Sequence, residues 1–466
     1  MSLTYQVSEN GAPLPSSDFS FSPTAVALTS GKAVQVPLTA TTPAHLAGHD
    51  QVKVTATLSG ASASTTFPLT VTGEQLIYSF GSSAADSAHP YASLIQMGGD
   101  LYGTTQSGGG THNDGTVFEL IPSGSGWTEQ VIHSFTGSDG AGPYAPLIQM
   151  GGNLYGTAGV GGTNGYGTAF ELIPSGSGWN EKVIYNFAGG AADGAYPIAS
   201  LTPSSNGNLY GTTSEGGANG SASGGDGTVF ELIPSSTSSS GWNEKVIYSF
   251  GSGSADGTQP QASLVQVGGN LYGTTEYGGA NGSASGGDGT VFELIPSSTS
   301  SSGWNEKVIY SFGSGSADGV VPSAALVPGS SGDLYGTTYS GGTNGYGTAF
   351  ELIPSGSGWT EQVIHSFTGS DGAGPYAPLI QMGGNLYGTT YRGGANSSAS
   401  GSDGTAFELI PSGSGWNEQV IYNFAGGAAD GANPQASLIP GSNGDLYGTT
   451  YRGGTSGVGT VFKIVP

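Results

Sequence analysis

The chain is predicted to be all-β: a seven-bladed β-propeller of four-stranded blades closed by a 3+1 strand arrangement, preceded by a small immunoglobulin-like β-sandwich. Three observations predict it. The motif Leu-Tyr-Gly-Thr occurs seven times, starting at Leu101, Leu154, Leu209, Leu271, Leu334, Leu386 and Leu446. Its spacing of 52 to 63 residues suits a blade of four short strands and is far too long for a β-helix rung. The ends of the repeat region are complementary: the last unit stops after its third strand, and residues 74–80 ahead of the first unit read as a lone fourth strand.

Composition supports the class. Among 466 residues there are 87 Gly and only 9% charged side chains, which describes short strands and tight turns and leaves no blocks of helix formers. Regularly spaced aromatics, 23 Tyr, 17 Phe and 6 Trp, supply the apolar surface that disordered segments lack.

Within the second unit four runs follow one another: strand A over residues 144–150, B over 153–157, C over 167–173 and D over 179–187. Gly151-Gly152 separates A from B, a Gly/Asn-rich loop separates B from C, and Pro-Ser-Gly-Ser-Gly separates C from D, all turn signals. In strand C of the first unit Phe118 and Leu120 face one way and Val117 and Ile121 the other, so both faces are apolar, as stacked sheets require. The Gly of each motif reads as a close approach near the crowded axis. Residues 74–80 match the fourth strand at 306–312 and would complete the last blade, leaving no open sheet edge. The expected domains are residues 1–72 and 73–466, with 74–80 as closing strand.

Residues 33–38, 51–58 and 65–71 alternate in the manner of sandwich strands. At about 70 residues the segment is short of the roughly 100 of an immunoglobulin fold. A strand exchanged between molecules, through residues 3–7, would supply the deficit and permit self-association into fibres.

The formal charge of −24, from 32 acidic and 8 basic side chains, repels a phosphate backbone and excludes nucleic acid as the expected partner. No apolar run reaches the length of a membrane span, so no membrane insertion is expected. The absence of Cys removes disulfides, thiolate zinc sites and a cysteine nucleophile. Met1, Ser2 and Leu3 lack the basic and apolar regions of a signal peptide; an extracellular or cell-surface location is expected, with a leader already removed.

The repeat Gly269-Asn270-Leu271-Tyr272-Gly273-Thr274-Thr275, followed by Gly278-Gly279 and Gly289-Thr290-Val291-Phe292, resembles the bacterial GloVer-type tandem repeat, over about residues 73–466. The double Gly after strand B and the Trp opening strand D are similar to kelch blades, whereas the Thr-Thr pair and the long Ser/Gly insertions depart from them. The resemblance implies an exported, often surface-attached bacterial protein and implies no catalytic residues.

Propeller connectivity puts the B–C and D–A loops on one face, where the sequence varies most and a ligand is expected. After the motif, three consecutive units place Tyr339, Tyr391 and Tyr451, with Arg392 and Arg452, in a chain with 8 basic residues. Aromatic faces stack on sugar rings, and Arg makes bidentate bonds to carboxylates or vicinal oxygens. The alternative is that the tyrosines fill gaps between blades. Trp359 and Trp416, each two residues before a Glu, are further sugar-site candidates; the competing role is a wedge between blades. Asp139, Asp193, Asp256, Asp318, Asp371 and Asp430, with Asp86, precede strand A. They suit turns in which Asp bonds its own backbone two residues on, or Ca²⁺ as the one cofactor considered. The Glu of Phe-Glu-Leu becomes Lys463 in the last unit, which points to a solvated or edge position.

Seven similar blades repeat the same groups, whereas catalysis needs unlike groups brought together once. No enzymatic activity is therefore expected. Only His89, His112 and Asp114 break the pattern near one another; His133 and His365 replace a Tyr of strand D. Residues 119–155 and 351–387 repeat one another, which recent duplication explains. The expected function is an extracellular binding or adhesion module for a glycan or cell-surface partner. The alternatives are a non-catalytic structural subunit of a surface layer or fibre assembled through the sandwich, and a polysaccharide lyase or hydrolase.

Overall fold

The computed structural model describes backbone strands within residues 2–71 and, with side chains, residues 74–466 apart from 84, 125, 177, 220–224, 282–287, 357, 396–402, 414 and 442. In the N-terminal segment an antiparallel sheet runs in the order Ala12–Pro13, Ser2–Glu9, Gly48–Leu58, Ala61–Val71. Ser20–Ser22 pairs separately with Thr39–Thr41. Leu3 and Val7, in the segment considered for exchange, are in register with Ala56 and Val52 of their own chain. The expected strand at 33–38 lies outside the described residues, and the sandwich stays an expectation.

The repeat region is a seven-bladed β-propeller of four-stranded blades. The first blade orders strand A, Ile95–Met97, then B, Asp100–Thr105, C, Thr116–Ser123, and D, Gly126–Ser134. In the last blade Ile439–Pro440, Leu446–Thr450 and Thr460–Val465 are followed in the sheet by Gly73–Ser79, the 3+1 closure expected from the chain ends. Strand A is shorter than its sequence suggests: in the second blade it is Ile148–Met150. Pro143 and Pro146 lack the N–H groups a longer ladder would need.

Three contacts repeat from blade to blade and explain the motif. A Cβ on Gly156 would stand 2.5 Å from Cζ of Phe170 on strand C, so the Gly is required by an aromatic ring of its own blade and not by crowding at the axis. The next residue bonds outward: Thr157 Oγ1 donates to the Ala199 carbonyl of the following blade at 2.9 Å, and Thr449 Oγ1 to that of Ala92 at 3.1 Å. The second Thr bonds within the blade, as Thr105 to Thr116 at 2.7 Å. Between blades the Phe ending strand D meets the Phe of the next strand C edge to face, as in Phe187–Phe230 with centroids 5.0 Å apart. All four of these rings are among the fully buried side chains of their clusters, with Phe80 and Phe118 forming the equivalent pair at the closure.

The Glu of Phe-Glu-Leu corrects an expectation. It is buried or half-buried and accepts hydrogen bonds: Glu171 takes the Tyr155 hydroxyl and the Asn153 amide, both at 2.7 Å. Lys463 replaces it opposite Asp445, 3.6 Å away, so the charge reversal is compensated by a partner and does not mark solvent.

Candidate functional site

The residue before each D–A loop Pro sets the loop face. His89, Tyr196, Gln259, Val321 and Asn433 have φ between 56° and 61°, and Gly142 and Gly374 occupy the same place in the other two blades. Left-handed backbone is unfavourable for side chains other than Gly and Asn, most of all for a β-branched one such as Val321. Here it is fixed from both sides. The N–H donates to the preceding blade, as Val321 to the Asp288 carbonyl at 2.9 Å, and the carbonyl accepts from its own blade, as from the Tyr339 N–H at 2.9 Å. This staple delivers the residue after Pro to the axis and the residue after Leu-Tyr-Gly-Thr-Thr beside it.

The axis is lined asymmetrically. Tyr91 is met edge to face by Tyr144, Tyr376 and Tyr451, with centroids 5.5, 6.0 and 6.3 Å away. Gln106 links two of these rings, its amide donating to the Tyr144 hydroxyl at 3.0 Å and its carbonyl accepting from Tyr451 at 3.2 Å. Gln261 accepts from the Tyr376 hydroxyl at 3.2 Å and donates to Glu276. Burial pushes the Tyr91 and Tyr376 phenols and the Glu276 carboxyl upward. A cavity of about 290 Å³ opens beside them, walled by Tyr91, Tyr144, Tyr196, Ile198 and Tyr376. Sequence reasoning missed this cluster, although the residue following each D–A loop Pro was its signal.

Next to the axis are two grooves. One, of about 860 Å³, runs between Tyr391, Arg392, Asp403, Asn433 and Arg452; the other, of about 630 Å³, between Tyr339, Tyr346, Thr368 and Arg392. Arg392 borders both. Each guanidinium lies over its neighbouring ring, Arg392 at 5.0 Å from the Tyr391 centroid and Arg452 at 5.9 Å from Tyr451. Among the described residues neither has a carboxylate within ion-pair distance. Volumes of this order accommodate a small ligand, and exposed cations beside aromatic rings offer it both stacking and charge. The structure therefore brings Tyr339, Tyr391, Arg392 and Arg452 to one pair of grooves, and turns Tyr451 to the axis.

Trp359 and Trp416 are elsewhere. They open the D strands Gly358–Ser366 and Gly415–Asn423, at the opposite end of the blades, and pack edgewise on Tyr272 and Tyr335 of the preceding blades at 6.0 and 5.7 Å. His89 stacks on Tyr451, with centroids 4.8 Å apart, while His112 is exposed on the B–C loop.

The recurrent aspartates close their own loops, bonding three to five residues upstream and, at Asp86, Asp193, Asp256 and Asp430, one downstream, in place of the two-residue turn expected. Asp256 accepts from the Ser252 and Gly257 N–H groups at 2.8 and 2.7 Å and from the Tyr248 hydroxyl at 2.9 Å. Asp193 and Asp430 repeat this with Tyr185 and Tyr422. Asp318 takes Tyr310 and the Ser314 N–H. Asp139 and Asp371 face His133 and His365 instead. At six of these loops a Glu of the next blade's strand D stands beside the Asp: burial, with the Asp193 charge adding, pushes Glu244 up to about 8.

Solved structures are similar to the chain at low identity and with TM-scores below 0.5. A protein assigned as a 6-phosphogluconolactonase from Bacteroides uniformis is 11% identical, with 80% of this chain and 93% of that one covered and a TM-score of 0.47. An ulvan lyase of a polysaccharide lyase family is 12% identical over 84% and 94%, with a TM-score of 0.44. A puromycin-hydrolyzing peptidase from Mycobacterium tuberculosis is 13% identical over 80% and 52%, also at 0.44. These neighbours are described as enzymes, so the expectation of no enzymatic activity, drawn from repeated groups, is withdrawn, and no activity is assigned to this chain from them. At these identities the likeness concerns the fold alone. No curated protein sequence matches the chain. The model of the Gloeobacter/Verrucomicrobia repeat matches residues 45–286 and 280–466. The chain belongs to that bacterial tandem-repeat family.

Proposed function

We propose that the chain binds a carbohydrate on its B–C/D–A loop face, outside the cell, as an adhesion module. The observation that carries this reading is the pair Arg392 and Arg452, free of carboxylate partners among the described residues although the chain carries a net charge of −24. An exposed guanidinium in so acidic a molecule is a local inversion of the field, and attracts an anionic group that the rest of the surface repels. Tyr391 and Tyr339 offer ring faces for sugar stacking in the same grooves. Bidentate bonding to a carboxylate makes acidic sugars the favoured class.

A glycan array carrying neutral and uronate-containing saccharides tests this. Wild-type protein is expected to bind reproducibly, with the signal lost in Arg392→Ala/Arg452→Ala. An array with no hit, or one unchanged by the double substitution, contradicts the reading. Product analysis of each hit decides whether the bound saccharide is also cut.

A further inference from the structure

The blade junctions reuse one arrangement, a loop Asp at the end of one strand D, and at six of them a Glu of the next strand D stands beside it. Five present a phenol to it, from Tyr78, Tyr185, Tyr248, Tyr310 and Tyr422. Two present an imidazole: His133 Nε2 lies 3.1 Å from Asp139 Oδ2, and His365 Nε2 lies 3.2 Å from Asp371 Oδ2. Glu181 and Glu418 complete these two groups, in each of which one ligand atom per residue falls within 4.8 Å of the others.

The two imidazole junctions differ from the rest in more than one side chain. At Asp193, Asp256 and Asp430 the oxygen facing the phenol also accepts a backbone N–H. At Asp139 the loop donors go to the other oxygen: Oδ1 takes the Thr136 N–H at 2.9 Å and its hydroxyl at 3.0 Å. At Asp371, Oδ1 takes the Thr368 N–H at 2.8 Å. Oδ2 is thus held in place by bonds made through its twin, the usual role of groups behind a metal ligand, and the imidazole is its one partner among the described residues. Glu181 Oε1 and Glu418 Oε1 are buried with no hydrogen-bond partner among the described residues. Phenol junctions have the same orphan at Glu244, Glu306 and Glu361, but there the third group is a phenol, a donor and a poor ligand while protonated.

Ligand atoms on tetrahedral Zn²⁺ stand about 3.3 Å apart, close to the Nε2–Oδ2 separations of 3.1 and 3.2 Å. Side-chain exposures of 16–19% for the His and Asp residues leave water access for a fourth position.

We propose that His133, Asp139 and Glu181 form one divalent transition-metal site and His365, Asp371 and Glu418 a second, with Zn²⁺ the ion best matched to one imidazole, two carboxylates and a water. The histidines and aspartates lie in segments 119–155 and 351–387 that read the same residue for residue, so the two are one site copied. The ion would tie adjacent blades together.

The full chain, stripped with chelator and dialysed, is titrated with Zn²⁺ by calorimetry and its metal content measured by mass spectrometry. Two ions per chain are expected, one in His133→Tyr and none in His133→Tyr/His365→Tyr. Tyr is the residue at the other five junctions, so these variants should fold, as their circular dichroism and melting confirm. Zn²⁺ should raise the melting temperature of the wild type and leave the double variant unmoved. Failure to bind at micromolar Zn²⁺, displacement by equimolar Ca²⁺, or undiminished binding in the double variant overturns the assignment.

Discussion

Thr449 Oγ1 donates to the carbonyl of Ala92 at 3.1 Å, tying the last blade to the first across 357 positions of sequence. The same bond joins every other pair of blades, from Thr104 to Ala145 through Thr389 to Ala436. Six of these bonds link consecutive units, and one alone closes the circle. Thr449→Val leaves the buried Ala92 carbonyl unsatisfied and should cost about 1–3 kcal/mol, measured by denaturant unfolding. Deletion of 74–80 removes Phe80, fully buried against Phe118, and should yield an aggregating chain; a soluble monomer with an intact melting transition would contradict ring closure by this strand.

Gly156→Ala should destabilise despite the strand-forming advantage of Ala. Its Cβ would lie 2.5 Å from Phe170 Cζ, and overpacking of this kind costs about 1–3 kcal/mol. Phe170→Leu in the same molecule should recover part of the loss, a coupling that a double-mutant cycle reads directly.

Val321→Asn should stabilise. The position has φ 61°, which Asn433 and Gly142 occupy in other blades, and a β-branched residue there is strained by about 1–2 kcal/mol. An increase in unfolding free energy of about 0.5–1 kcal/mol is expected, since neighbouring bonds limit relaxation. A decrease would show that the Val side chain contributes packing that outweighs its backbone strain.

Stability should fall as pH rises from 5 to 8. Burial raises Glu244 to about 8, and Glu129, Glu181, Glu306, Glu361 and Glu418 to about 7, from an ordinary 4.5. In that window the folded chain retains protons that the unfolded chain has released, so the derivative of unfolding free energy with pH is negative. The melting temperature should be lower at pH 8 than at pH 5 in metal-free buffer, with a shallower slope in Glu244→Gln. A rise over the same range contradicts the burial of these carboxyls in protonated form.

The blade count and closing strand were legible because Leu-Tyr-Gly-Thr fixes a register that insertions in the loops do not disturb. Tyr391, Arg392 and Arg452 were legible for the same reason, standing at a constant offset from the motif. What was not legible depends on neighbours in space. Val321 and Gln259 carry no turn signal of their own, and their left-handed backbone is imposed by bonds to the preceding blade. Glu171 looks like a solvated residue until Tyr155 and Asn153 are placed one strand away. Its replacement by Lys463 carried no readable signal either, because the Asp445 that pairs with it has counterparts in Asp100 and Asp333, in blades that keep the Glu.

The loop-face site is tested most directly by titration calorimetry of the strongest array ligand against wild type, Arg392→Ala/Arg452→Ala and Trp359→Phe. The first pair should weaken binding by at least tenfold, about 1.4 kcal/mol, while Trp359→Phe, altered at the opposite end of its blade, should bind as the wild type does. Unchanged affinity in the arginine variant, or a loss confined to Trp359→Phe, would contradict a binding site on this face.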